Sequence, residues 1–159
     1  MAYLIDGNNL IGHLKEGSGV GDPGSRTELT TKLLAFQQVR RTKIILVFDG
    51  RPPDEGPRIE VNPKFSILSP EPGESADAVI QKRILRQADK RRFFVVSSDR
   101  EIRDFAKAHG VRDLSAAEFG RELKKALREQ RNRKEMRKTT EPPSPLEVRL
   151  WGEVFRTKK

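Results

Sequence analysis

The chain has 159 residues, with 32 lysines and arginines against 23 aspartates and glutamates, for a net charge of +9. That length suits one domain with a real core, and no run approaches the roughly 18 apolar residues of a membrane span. The absence of cysteine excludes disulfides, thiolate zinc sites and thiol nucleophiles and favours a cytoplasmic location, while the positive excess points to a polyanionic partner, most simply nucleic acid.

The first residues enter a strand directly, at about 2–6, so no signal peptide is expected. Asn8 to Leu14 reads as a short helix or turn, and Gly17 to Gly24 as a glycine-rich loop. Ser25-x-x-Glu28 has the form of a capping box and predicts a helix to about Arg41, with Leu29, Leu33, Leu34 and Phe36 on its apolar side. The apolar run 43–48 predicts a second strand, and Asp49-Gly50-Arg51-Pro52-Pro53 breaks the chain into a loop. Ile59–Val61 and Phe65–Leu68 predict a pair of short strands.

A helix is expected from near Glu74, carrying Ala78, Val79, Ile84 and Leu85, followed by a strand at 92–97. Asp99 to Ala108 reads as the next helix, stopped by Gly110 in the position just past a helix end where glycine is favoured. Val111 to Leu114 is a short strand, and Ser115-x-x-Glu118 is a second capping box. The helix it opens holds nine lysines and arginines between Arg121 and Lys138, opposed only by Glu122, Glu129 and Glu135. Phe119, Leu123, Ala126 and Leu127 give its first half a core-facing stripe, whereas Met136 is the only apolar side chain from Arg128 to Thr140. A helix half with nothing to bury projects into solvent or lies against a partner. The prolines at 142, 143 and 145 end this helix, and Leu146 to Phe155 predicts a last short one, docking through Trp151 and Phe155. The expected organisation is a domain over 1–140, basic helix 115–140 included, and a proline-interrupted tail over 141–159.

Alternating strands and helices indicate an α/β three-layer domain with a mostly parallel sheet and helices on both faces. In such sheets the ligand site lies outside the carboxyl ends of the strands. Asp6, Asp49 and Asp99 each follow an apolar strand, and Asp77 stands in the first turn of a helix with Glu74 three residues before it. Taken singly, each fits a turn or a cap, since Asp, Gly and Asn are ordinary turn residues and acids suit helix N-termini. Taken together they build an acidic cluster at one edge. Carboxylates so gathered repel one another and imply a bound cation or raised pKa values. Hard oxygen donors of this kind suit Mg²⁺ or Mn²⁺ and phosphodiester chemistry. Glu101 and Asp104 fit outer acids or an exposed helix side, the latter preferred for Asp104, and neither His13 nor His109 reads as catalytic.

Leu4-Ile5-Asp6-Gly7-Asn8-Asn9-Leu10-Ile11, Val47-Phe48-Asp49-Gly50, Glu74-Ser75-Ala76-Asp77 and Ser97-Ser98-Asp99 together resemble the NYN branch of PIN-like nucleases. More narrowly, they resemble the YacP-like family of bacterial proteins, which includes a ribosome-associated endoribonuclease. The resemblance implies a three-layer PIN-like (NYN) domain, metal-dependent RNA cleavage and a Mg²⁺ or Mn²⁺ cluster at the carboxyl edge of the sheet. It implies Asp6, Asn8, Asp77 and Asp99 as the core site, with Asp49 and Glu74 supporting.

The function expected is a metal-dependent endoribonuclease acting on RNA, with mRNA as the expected substrate and the ribosome as the expected partner. Lys124, Lys125, Arg128, Arg131 and Lys134 would neutralise the RNA backbone. Two rivals remain: a ribosome-docking module of the same fold with a weak or silent site, and a phosphatase on a small substrate. The second is disfavoured by the charge and by the lack of a phosphate-cradling glycine loop of P-loop spacing.

Overall fold

The computed structural model describes residues 1–14, 23–51 and 55–140. Six strands form one sheet in the order β3-β4-β2-β1-β5-β6. They are β1 (Ala2–Asp6), β2 (Lys43–Val47), β3 (Arg58–Asn62), β4 (Phe65–Leu68), β5 (Phe93–Val96) and β6 (Arg112–Leu114). All neighbours run parallel except the edge strand β3, which is antiparallel to β4. The helices are α1 (Gly7–Leu14), α2 (Pro23–Arg40), α3 (Ala76–Arg86), α4 (Arg100–Ala108) and α5 (Ala116–Thr140).

Strand β1 shows why the runs are apolar throughout. Successive side chains point to opposite faces, so Leu4 enters one core and Ile5 the other. Both are fully buried, each worth about 1.5–3 kcal/mol relative to exposure. On the Ile5 face lie α1, α2 and α5, through Leu10, Leu33, Phe36, Phe119 and Leu123. On the Leu4 face lie α3 and α4, through Val79, Ile80, Ile84, Ile102 and Ala106. The three-layer expectation is met.

Two local signals act as the sequence indicated. Gly110 has φ +74 just past the end of α4. Ser115 and Glu118 form the reciprocal capping box, with the Glu118 N–H donating to Ser115 Oγ at 3.1 Å and the Ser115 N–H to Glu118 Oε1 at 3.3 Å. The first capping-box pattern is different. α2 begins at Pro23, so Ser25 stands inside the helix and is 3% exposed. Proline suits a first helical position because its ring already fixes φ and the missing N–H has no partner there to lose.

The segment 17–22 of the expected glycine-rich loop and the expected helix 146–155 lie outside the described residues. The chain divides into two compact units, Met1–Leu127 and Arg128–Lys159. Leu127 is also the last residue of the α5 apolar stripe. No helix among the described residues is long and apolar enough to cross a membrane.

Candidate active site

Because β1 lies between β2 and β5, everything leaving those three strands arrives at one edge. Asp6 is the last residue of β1 and only 8% exposed. Gly7 starts α1 with no intervening loop. A Cβ on Gly7 would lie 2.8 Å from the Phe48 ring and 2.9 Å from the Val47 carbonyl oxygen, so only glycine fits this turn. The sharp exit lets Asn8 and Asn9 reach sideways. Asn8 Oδ1 accepts from the Asp49 N–H at 2.7 Å, and Asn9 Oδ1 from the Ser98 N–H at 2.9 Å. Each asparagine thus fastens the β1 exit to a neighbouring strand's loop, one on each side.

Ser97 does the equivalent for the acids. It is fully buried; its hydroxyl donates to Asp6 Oδ2 at 3.1 Å and accepts from the Asp99 N–H at 3.1 Å. Ser98 Oγ accepts from the Ala116 N–H at 3.0 Å, tying the same loop to the start of α5. Burial pushes the Asp6 carboxyl above its ordinary value, the Ser97 hydroxyl and the Asn9 N–H oppose this, and the charges of Asp77 and Asp99 add to the rise. Replacing Ser97 by alanine leaves the Asp99 N–H and Asp6 short of a partner. The expected cost is about 1–3 kcal/mol, measured by denaturant unfolding, together with weaker divalent-ion binding because Asp6 loses its orienting bond.

Asp77 stands in the first turn of α3, whose N-cap is Ser75, with its Oγ accepting from the Ala78 N–H at 3.2 Å. Its carboxyl is also raised, first by burial and then by Asp99, Glu101 and Asp49. Asp99 caps α4, its Oδ1 accepting from the Glu101 N–H at 2.9 Å. The fold therefore gathers these acids around Asp77, which lies in the field of Asp99, Glu101 and Asp49, while Asp6 lies in that of Asp77 and Asp99. Glu101 joins them, an acid whose position just inside α4 left its role open in the sequence.

Glu74 goes elsewhere. Its carboxylate is taken by Lys82, which holds it below its ordinary value. It acts on neither Asp6 nor Asp77. The expectation that it shares a face with Asp77 fails because it precedes the N-cap and so is not on the helix at all. Asn8 lies beside the cluster with its oxygen engaged by the Asp49 backbone.

The donor set fits a hard divalent cation: carboxylate oxygens only, partly desolvated, and mutually repelling until a positive charge offsets them. Among the described residues no three such side chains close on a common point. Asp49 is exposed, whereas Asp6 is buried and held by the Ser97 hydroxyl.

Lys124, Lys125, Arg128, Arg131 and Lys134 are all exposed on α5, the first two in the unit ending at Leu127 and the others in the unit that follows. The described aromatics are largely spent inside. Tyr3 stacks on Phe94 at 5.2 Å and meets Phe36 and Phe119 at 5.5 and 5.6 Å.

Comparison with known proteins bears on the whole arrangement. The crystal structure of Rae1 (YacP) from Bacillus subtilis matches with a TM-score of 0.70 and 23% identity, over 99% of this chain and 91% of that one. A tryptophan-to-leucine variant of the same protein matches with a TM-score of 0.67 and 25% identity, over 92% and 87%. No curated protein matches the sequence significantly. The YacP-like NYN domain model matches residues 3–157. That span takes in the strands, the gathered acids and the basic helix alike: the chain belongs to the YacP-like NYN domain family, and its fold is of the PIN-like nuclease type.

Proposed function

We propose that the chain is a metal-dependent endoribonuclease that hydrolyses RNA phosphodiester bonds, with mRNA as substrate in a ribosome-associated, cytoplasmic setting. The observation that carries this reading is the repulsion centred on Asp77 at the carboxyl edge of the sheet, where Asp99, Glu101 and Asp49 act on Asp77, and Asp77 and Asp99 act on Asp6. Asp6, Asp77 and Asp99 would hold Mg²⁺ or Mn²⁺, with Asp49 and Glu101 beside them. A cation bound there supplies charge stabilisation at the phosphate and a water of lowered pKa. Ser97 and the Asn9 N–H keep the Asp6 carboxylate in place. Asn8 holds the Asp49 loop against the β1 exit. In-line attack by water would leave a 5′-phosphate and a 3′-hydroxyl. Lys124, Lys125, Arg128, Arg131 and Lys134 would neutralise the RNA backbone, so affinity should fall steeply with salt. With Phe36, Phe48, Phe65, Phe93 and Phe119 buried, base stacking is a poor source of specificity, which favours selection by a partner such as the ribosome.

Cleavage of labelled mRNA with and without ribosomes, in Mg²⁺, Mn²⁺ or chelator, tests the reading. Wild type should yield fragments bearing 5′-phosphates only with metal, and Asp6→Asn should bind RNA without cutting it. Cutting that persists in chelator would overturn it. The acids' failure to close on one point among the described residues favours the second reading, a docking module with a silent site. That reading takes the lead if wild type binds RNA but never cuts, even on ribosomes.

A further inference from the structure

A second charged feature lies on another side of α3. Val79, Lys82, Arg83 and Arg86, a stripe of helical spacing, line a groove of about 370 Å³ with Arg58 of β3 and Leu68 of β4. Two carboxylates also reach it, and both are accounted for. Glu74 pairs with Lys82, and Glu71 lies 3.8 Å from Arg51. Arg58, Arg83 and Arg86 have no ion-pair partner among the described residues. Burial, then the charges of Arg58 and Arg86, hold Arg83 below its ordinary value.

Three guanidinium groups gathered with no ion-pair partner of their own among the described residues mirror the carboxylates at the strand edge. The folded chain bears their repulsion, and an anion from outside relieves it. Guanidinium forks match phosphate oxygens two bonds at a time. Among the described residues no aromatic ring lines the groove, so it suits a backbone rather than bases.

We propose that this groove binds the sugar–phosphate backbone of the RNA substrate and leads it along α3 to the carboxylate edge. The proposal rests on the ribonuclease reading of that edge. One end of the groove is Glu74, three residues before Asp77. At 1.5 Å per residue, Arg83 and Arg86 lie about 9 and about 14 Å from Asp77 along the helix axis. Because the stripe also lies on another side of the helix from Asp77, the path round α3 is longer than this rise and takes several nucleotides, a reach that selects a polynucleotide over a mononucleotide.

The test is fluorescence anisotropy of a labelled single-stranded RNA oligonucleotide in chelator across a salt series, comparing the full chain with Arg83→Gln/Arg86→Gln. The double variant should bind about tenfold more weakly at low salt. Its slope of log affinity against log salt should shrink by about 1.4, at roughly 0.7 for each phosphate left without its arginine. Its Mn²⁺ titration should match wild type, which a misfolded variant could not do. Unchanged affinity and slope would overturn the proposal, and so would displacement of the RNA by polyglutamate at equal charge, which would mark a site for acidic protein. Weakened RNA binding by the variant of a chain whose wild type cuts no RNA would uphold the groove and sink the ribonuclease reading instead.

Discussion

Asp77→Asn is expected to abolish RNA cleavage while making the protein more stable. Asp77 is no helix cap, unlike Asp99, and its carboxylate bonds to no other side chain or backbone group among the described residues. Its carboxylate sits among Asp99, Glu101 and Asp49. As the proposed cation ligand it would support charge stabilisation worth several kcal/mol, and each 1.36 kcal/mol is tenfold in rate. Loss of about 10²- to 10⁴-fold in cleavage is therefore expected, with RNA affinity retained or improved.

Stability should move the other way. The folded-state pKa of Asp77 lies above its ordinary value of 3.8, so protonation favours the folded state. The favourable contribution is complete below about pH 3.8 and is lost as pH rises through the folded-state value. Asparagine removes the repulsion present at neutral pH. It also gives up the attraction of an acid to a helix N-terminus, about 0.3–1 kcal/mol, so the gain in melting temperature is a few degrees at most. That gain should shrink as the pH is lowered toward 3.8. Thermal melts of both proteins at neutral and acid pH read it directly. A variant less stable than wild type at pH 7, or one that still cuts RNA, would show that Asp77 is structural.

The second large effect is expected at Gly7. Alanine there drives a methyl group to 2.8 Å from the Phe48 ring and 2.9 Å from the Val47 carbonyl. The carbonyl belongs to β2 and is not free to move, since Val47 is fully buried in the sheet beside β1. Overpacking of this kind costs about 1–3 kcal/mol, or a melting temperature lower by about 2–12 °C in a chain of this size. The displacement would reach both neighbours of Gly7, Asp6 before it and Asn8 after it. Gly7→Ala should therefore lose metal affinity even at temperatures where it stays folded, and calorimetry on the folded variant would detect this. Gly50→Ala is the control, because its nearest neighbour beyond the adjoining residues is the flexible end of Arg26 at 3.8 Å.

Much of the fold was legible because burial on both faces leaves a plain mark. Runs such as Ile44-Ile45-Leu46-Val47 have no polar position to spare, and they became the central strands. Gly110 and the Ser115–Glu118 box were legible because helix ends are set by local chemistry. The acids at the strand exits followed from the parallel sheet, since parallel strands end at one edge. What the sequence hid depends on which strands are neighbours. Asn8 and Asn9 look like turn residues, and their bracing of two loops becomes visible only with β1 placed between β2 and β5. Glu74 and Asp77 share a spacing of three, yet the helix starts between them, and Lys82 captures Glu74. The arginine groove was hidden for the same reason: Arg58 and Arg83 are brought together by β3 and α3 rather than by sequence.

The gathered carboxylates stand or fall as a divalent-cation site. Calorimetric titration of Mn²⁺ into wild type and into Asp99→Asn tests this most directly. Asparagine is as good an N-cap as aspartate, so the variant keeps α4 and changes only the charge. Saturable binding in wild type that disappears in the variant is the expected result. The same isotherm for both, binding or flat, would contradict the metal site and leave these acids as caps and turns.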